Sequence, residues 1–317
     1  MMRRCAISID LDDLACYYRI HGLGEMPPEL GSVIFEAALP RAAALLARHG
    51  AAATWFVVGR DVDPRVGAAG AAAGREALAA LHRAGHELGN HSYSHPYRLA
   101  RMSPAEVARE VDDCDELLRG LTGAPVRGFR APGYDVSATV ARVLASRGYR
   151  YDSSVLPAPA YYAAKAAVMG AMAARGRPSR AVLTDPRALL ASRRPYRLDE
   201  DAPWRSGASS LIEVPIAVTP WLRLPVIGTS MLLAPAPLRR CLLMAVREEG
   251  ALNFELHGID FVDAERDGVP GELVERQPDL RVPVARKLER LDALLDALGR
   301  RFQFTTLAEL AEAARAA

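Results

Sequence analysis

The chain has 317 residues, half of them hydrophobic, and a formal net charge of +2 at pH 7. That length suits one large domain or two smaller ones with a sizeable core. The arginines are scattered and form no basic stripe interleaved with aromatics, which argues against a nucleic-acid partner.

Cys5, Cys16, Cys114 and Cys241 fall at no zinc-ribbon or redox spacing, so they read as free thiols in a reducing cytosol. The apolar run after Met1-Met2-Arg3-Arg4 is too short for a signal peptide. No run of about twenty apolar residues is evident, so no transmembrane helix is expected. A cytoplasmic protein is the expectation from these features.

Apolar strand-like runs then alternate with helix-period segments. Residues 5–9 form a first strand that ends in Asp10-Leu11-Asp12-Asp13. Residues 35–49 read as a helix closed by Gly50, and 53–58 as a strand closed by Gly59. Residues 72–84 read as a helix stopped by Gly85, and 86–90 as a short strand running into His91-Ser92-Tyr93-Ser94-His95. Ser103-Pro104-Ala105-Glu106 carries the capping-box signature of a helix that stops before Gly123. A strand at 128–132, a helix at 137–147 and a strand at 149–152 follow. Further strands are expected at 211–214 and 252–256, then a long helix at 284–298 and a closing strand at 302–304.

Regular alternation of strand and helix argues for a parallel sheet with helices outside. The number of units fits a distorted (β/α) barrel of seven or eight units, one domain over 1–317. Residues 156–205 are read as a long insertion or lid within it. In such barrels the chemistry sits at the C-terminal ends of the strands. Asp10, Asp12, His91, His95, Arg130 and His257 all fall at such ends, which is the reason to read them as one site.

Each motif has a chemical use. Asp10 and Asp12 lie two apart on a strand and so face the same way. One can hold a cation while the other stays free as a general base. Two imidazoles with a carboxylate suit a divalent metal, with Asn90, Ser92 and Ser94 available to support them. Arg130, in Gly128-Phe129-Arg130-Ala131-Pro132-Gly133-Tyr134, can hold a carboxylate ionised. The amides of Gly133 and Tyr134 can serve an oxyanion. His257, between an apolar strand and Gly258, can be a general acid tuned by Asp260 or another acid. Taken singly, the bland readings are a solvated turn for the acids, a surface ion pair for the arginine and a core position for His257.

Taken together, these residues resemble the polysaccharide deacetylase family, also called carbohydrate esterase family 4. The matching motifs are Ser8-Ile9-Asp10-Leu11-Asp12-Asp13, His91 to His95 after Gly-His-Glu-Leu-Gly-Asn, Arg130-Ala131-Pro132, and Leu256-His257. The resemblance implies hydrolysis of an N-acyl group on an amino sugar. It also implies a divalent metal, zinc first, with cobalt, nickel, manganese or iron as alternatives. Carried over, Asp10 matches the base, Arg130 the residue that orients it, and His257 the acid. His91 and His95 match two metal ligands. The third ligand is Asp12, with Asp13 as the alternative, because Leu11 separates the acids that the usual motif places side by side. Tyr134 is expected to offer its amide to the oxyanion.

The expected substrate is an acylated amino sugar, free or lipid-linked at the inner membrane face. Peripheral membrane contact around Trp221 is part of that expectation, and the oligomeric state is left open. Two other functions fit parts of the pattern. One is a carbohydrate-binding relative that has lost turnover. The other is a non-haem iron oxygenase, which also uses two histidines and a carboxylate but usually on an all-β fold.

Overall fold

The computed structural model describes residues 3–174, 176, 179, 181 and 183–316. Met1 and Met2 of the expected start, and five residues of the 156–205 insertion (175, 177, 178, 180 and 182), lie outside the described residues.

The strands are β1 (Arg4–Asp10), β2 (Thr54–Val57), β3 (Glu87–Asn90), β4 (Gly128–Phe129), β5 (Tyr151–Asp152), β6 (Tyr196–Arg197), β7 (Ile212–Glu213), β8 (Ala251–His257) and β9 (Gln303–Thr305). They form one nine-stranded sheet in the order β6-β7-β5-β4-β3-β2-β1-β8, with β9 also on β1. The β6–β7 ladder is antiparallel and the others are parallel. β1 pairs with three strands. It pairs with β8 along its whole length, and its other edge is shared. Arg4 to Ala6 pair with β9, whereas Ser8 to Asp10 pair with β2.

Among the described residues no ladder closes the ring between β7 and β8. The chain leaving β7 bridges that gap instead, where the Ala217 amide donates to the Asn253 carbonyl at 3.0 Å. The result is a curled, distorted (β/α) barrel, as the alternation implied. Strand residues buried on both faces, such as Cys5, Ile7, Ile9, Phe56, Phe254 and Leu256, account for the near-continuous apolar runs.

The helix expected after Ser103 spans Pro104–Thr122, with the capping box formed and Gly123 left-handed at φ 67°. Other helices were not evident in the sequence. Leu14–His21 starts directly behind the acidic cluster, with Asp13 as its N-cap. Gly228–Leu233, Ala236–Val246 and Leu307–Arg315 also form.

The expected helix at 35–49 starts earlier, with a π-helical turn over Ile34–Ala38 before Pro40. Proline has no N–H to donate, and the wider turn absorbs the missing bond. The helical stretch Pro28–Arg48 is, by length and composition alone, apolar enough to cross a membrane, although none was expected. In this fold Ile34, Phe35, Ala38, Leu39, Ala42, Leu45 and Leu46 of that stretch pack into the main core.

The insertion holds a helix at Pro159–Ala174, a 3-10 turn at Pro186–Leu190 and β6. Ser179 Oγ donates to the Ile20 carbonyl at 3.3 Å. The insertion therefore reaches from the β5 side of the rim to the helix behind Asp13.

Gly128 in β4 shows how tightly the sheet is packed, because a Cβ there would overlap the Tyr151 ring. The Tyr151 hydroxyl cannot yield freely, since it donates to Glu87 Oε1 at 2.9 Å. Gly128→Ala is expected to destabilise the fold by about 1–3 kcal/mol, the usual cost of overpacking a core. The shift in urea denaturation midpoint at constant m-value measures it.

Candidate active site

Strand ends bring the site together. Asp10 closes β1 and lies in register with His257, which closes β8. His91 follows β3, and Arg130 follows β4. Asp12 and His95 come from the loops just beyond. The structure brings all six of these residues to one rim.

Arg130 is fully buried, and nearly every direction of its guanidinium is used. Nε donates to the Ser153 carbonyl at 2.9 Å, and Nη2 donates to Ser153 Oγ at 2.8 Å and Ser8 Oγ at 3.0 Å. Nη1 donates to Asp10 Oδ1 at 2.6 Å. The Phe56 ring lies 4.4 Å from the guanidinium carbon. Burial alone would lower the pKa of Arg130, but Asp10 and Glu255 raise it. Asp10 is thereby split. Oδ1 is fixed on the arginine, and Oδ2 lies 3.8 Å from both His91 Nε2 and His257 Nε2.

Asp12 has different neighbours. Its Oδ1 is 3.2 Å from His91 Nε2 and 3.4 Å from His95 Nε2. These three side chains offer ligand atoms within 4.8 Å of one another. His91 Nδ1 lies 2.7 Å from the Arg130 carbonyl, which can only accept, so the proton of a neutral imidazole belongs on Nδ1. Nε2 then presents a lone pair to Asp12 Oδ1. Asp12 Oδ1 and both ring nitrogens of His95 have no hydrogen-bond partner although they are buried. Acceptors converging on acceptors is what a cation site requires, so this donor set fits a divalent metal.

The electrostatics agree. Burial would raise the Asp12 carboxyl, but His95, His91 and His257 hold it well below the usual range. Burial pushes the His95 imidazole down to about 4, which keeps it neutral and able to ligate.

Asp13 points elsewhere. Its Oδ1 accepts from the Ala15 amide at 2.8 Å as the helix N-cap, and burial raises its carboxyl to about 6. The geometry groups Asp12, not Asp13, with the histidines.

The two histidines lie on no helix. They sit on a loop with Ser92 at φ 65° and His95 at φ 55°, left-handed values that are uncommon outside glycine. Asn90 holds this loop. Its Oδ1 accepts from the Ser92 amide at 2.8 Å, and its Nδ2 donates to the Val111 carbonyl and to Tyr149. Ser92 Oγ accepts from the His95 amide at 3.2 Å, while Ser94 donates to Glu110 rather than to either imidazole.

The Tyr134 amide, expected to serve an oxyanion, donates to the Ala131 carbonyl at 3.1 Å in this structure. Gly133 and Tyr134 both take positive φ, which turns the amide inward. Its hydroxyl instead donates to Glu255 Oε1 at 2.8 Å.

Glu255 is the residue that the sequence reading passed over. It is fully buried, 3.6 Å from Arg130 Nη1 and 4.0 Å from His257 Nε2. The available signal was strand alternation, because Glu255 lies two before His257 and shares its face. Burial raises its carboxyl to about 7, against the pull of His257 and Arg130. Burial would lower His257, but Glu255, Asp10, Asp12 and Asp260 raise it to about 9, so it is cationic at neutral pH. Asp260 Oδ2 accepts from the His257 amide at 2.9 Å.

Residues 29–151 match the family model described as polysaccharide deacetylase. That span contains His91, His95 and Arg130 but not Asp10, Asp12 or His257. The chain is similar to the peptidoglycan deacetylase of Helicobacter pylori, 28% identical over 153 residues, or 48% of this chain and 49% of the relative. It thus spans about half the length of the curated relative it matches. Its fold is similar to the crystal structure of a Mycobacterium smegmatis protein provisionally assigned as a polysaccharide deacetylase. That likeness has a TM-score of 0.60 at 18% identity and covers 100% of this chain and 92% of the other.

The two neighbouring acids separate in a simple test. Asp12→Asn is expected to cut the affinity for Zn²⁺ or Co²⁺ about tenfold or more, a loss at least as large as that from removing a supporting residue. Asp13→Asn is expected to leave the affinity unchanged, since asparagine caps a helix as well as aspartate. Metal content after dialysis, read by elemental analysis, measures both.

Proposed function

We propose that this chain, which belongs to the polysaccharide deacetylase family, is a metal-dependent amidohydrolase that removes an N-acetyl or N-formyl group from an amino sugar. The observation that carries this reading is the division between its two carboxylates. Asp12 faces two imidazoles that need a cation. Asp10 is held by Arg130 through one oxygen and keeps the other open, 3.8 Å from His257.

Asp12, His91 and His95 would hold the metal. When bound, a divalent cation polarises an acyl carbonyl and lowers the pKa of water. The remaining work falls to this chain's own side chains. Asp10 Oδ2 takes the proton from the attacking water. Arg130 holds and orients Asp10 through Oδ1, so that Oδ2 alone is free. His257 carries a proton at neutral pH and gives it from Nε2 to the departing nitrogen. Glu255, Asp10 and Asp12 hold His257 in that charged form.

The name of the Helicobacter relative supports an amino-sugar polymer as substrate. A lipid-linked amino sugar is the second reading, favoured by apolar side chains exposed on the rim around Trp221. An iron oxygenase is disfavoured because the sheet is parallel with helices outside and a base, its arginine and an acid accompany the ligands. A purely binding role is disfavoured by the same three groups.

Asp10→Asn is expected to lower turnover about 10²–10⁴-fold, the range for loss of a general base, while metal content stays normal. Release of acetate or formate from N-acylated glucosamine oligomers is the assay. A variant that keeps near-normal rate would sink the assignment of the base.

His257 must be protonated to act, and its pKa is raised. The alkaline limb of kcat against pH is therefore expected above the ordinary imidazole value of about 6.5. His257→Ala is expected to remove that limb along with most of the rate, and a full pH profile of both proteins shows it.

A further inference from the structure

Trp221 stands out among the described residues, because it is 94% exposed on a chain whose other two tryptophans, Trp55 and Trp204, are buried. It lies at the tip of a hairpin that leaves the barrel after β7. Val218 and Pro225 pair across its base, and the Thr219 amide donates to the Leu224 carbonyl at 2.9 Å. Arg223 takes a left-handed φ of 48° and donates to the Ala191 carbonyl at 2.8 Å. The tip is therefore anchored to the insertion, not loose. Leu222 beside it is 72% exposed, and Leu190, next to the anchoring carbonyl, is also 72% exposed.

Three large apolar side chains thus converge on solvent. The segments that carry them also hold Arg187, Arg193, Arg194 and Arg223, of which Arg187 pairs with Asp185 and Arg193 with Glu249. The surface is apolar at its tip and net positive at its border. Behind it, helix Pro159–Ala174 has Lys165 as its one charged residue yet buries only Tyr162, an odd helix for water. Tyr162, Leu189 and Val218 join Tyr134 in one cluster, so these elements stand on the rim of the catalytic site.

We propose that the 220–223 tip, with Leu190, docks the protein on an anionic phospholipid bilayer and sets the mouth of the site at that surface. A tryptophan and leucines bordered by arginines match the composition of interfacial anchors, where apolar burial and attraction to anionic headgroups add. The docking deepens the deacylase reading by naming where its substrate is met, but the binding itself does not depend on turnover.

The test uses the full chain with vesicles of phosphatidylglycerol and phosphatidylcholine. Since Trp55 and Trp204 are buried, a blue shift of tryptophan fluorescence on adding vesicles reports Trp221. The expected result is a blue shift and co-sedimentation with the anionic vesicles, weaker with phosphatidylcholine alone and weakened by salt. The double variant Trp221→Ala, Leu222→Ala is expected to co-sediment at least about tenfold more weakly while hydrolysing a soluble N-acylated sugar normally. Trp221→Phe should restore most of the binding. Absence of binding to anionic vesicles overturns the proposal. So does a blue shift with peptidoglycan fragments or chitin oligosaccharides but none with vesicles, which would make the tip a sugar platform. Vesicle binding by a chain with no deacylase activity supports the docking and sinks the catalytic reading alone.

Discussion

The site depends on one buried guanidinium. Arg130 has no exposed surface, and burying a charge costs several kcal/mol unless it is paired and hydrogen-bonded. Here it is both. Its side chain holds Asp10, Ser8 and Ser153, and its own carbonyl accepts from His91 Nδ1. One residue therefore sets both halves of the site. Through the side chain it fixes which oxygen of the base is free. Through the backbone it fixes the His91 tautomer and aims Nε2 at Asp12. Lysine could not replace it, since a single ammonium lacks the fork that reaches β1 and the end of β5 at once.

That arginine works because the strands around it are rigid and in register. Ser8 on β1, Ser153 beyond β5 and Asn253 on β8 form a polar layer under it. Ser8 Oγ donates to Asn253 Oδ1 at 2.9 Å, and Asn253 Nδ2 donates to Ser153 Oγ at 2.9 Å. A satisfied buried network of this kind specifies a unique arrangement, whereas a broken one would leave costly orphan groups. The loops carry the strain instead. Ser92, His95 and Tyr134 all hold positive φ, and each lies at the rim within the constellation. Backbone held in this way persists only where its surroundings over-determine it. Asn90 and Ser92 do that for the histidine loop.

The frame of this protein is readable from its residues because period and punctuation are local. Glycines at 50, 85, 123 and 148 stop helices, and Ser103 with Glu106 starts one. What escaped was set by tertiary contacts. Asp12 and Asp13 are equivalent as letters, and only the start of the Leu14–His21 helix decides that Asp13 caps while Asp12 turns to the histidines. The Tyr134 amide looked free because a Gly-Tyr pair after a proline reads as an open turn. The left-handed pair closes it on Ala131. Glu255 was hidden in an apolar run, where a buried acid has no local signature beyond its strand face. The wide π turn before Pro40 likewise reflects how the chain accommodates the missing proline N–H, which the helical period does not show.

The remaining puzzle is why the fold leaves the buried cluster of Asp12 and His95 without hydrogen-bond partners. Asp12 Oδ1 and both His95 nitrogens lack partners, and each such group costs about 1–3 kcal/mol. One solution without a cation is to protonate His91 on both nitrogens. Its raised pKa allows that, because Asp10 and Asp12 outweigh its burial. Protonation would satisfy the 3.2 Å contact from His91 to Asp12 but still leave His95 neutral and unbonded. A ligand that accepts lone pairs from three directions answers Asp12 Oδ1 and the Nε2 atoms of His91 and His95 together. The local rules of satisfaction are broken within this candidate site, and natural folds break them chiefly where function requires it. The same disorder of acceptors would make a substitution such as His95→Leu easy for stability and ruinous for the site, which is the signature of a function maintained against the fold's own preference.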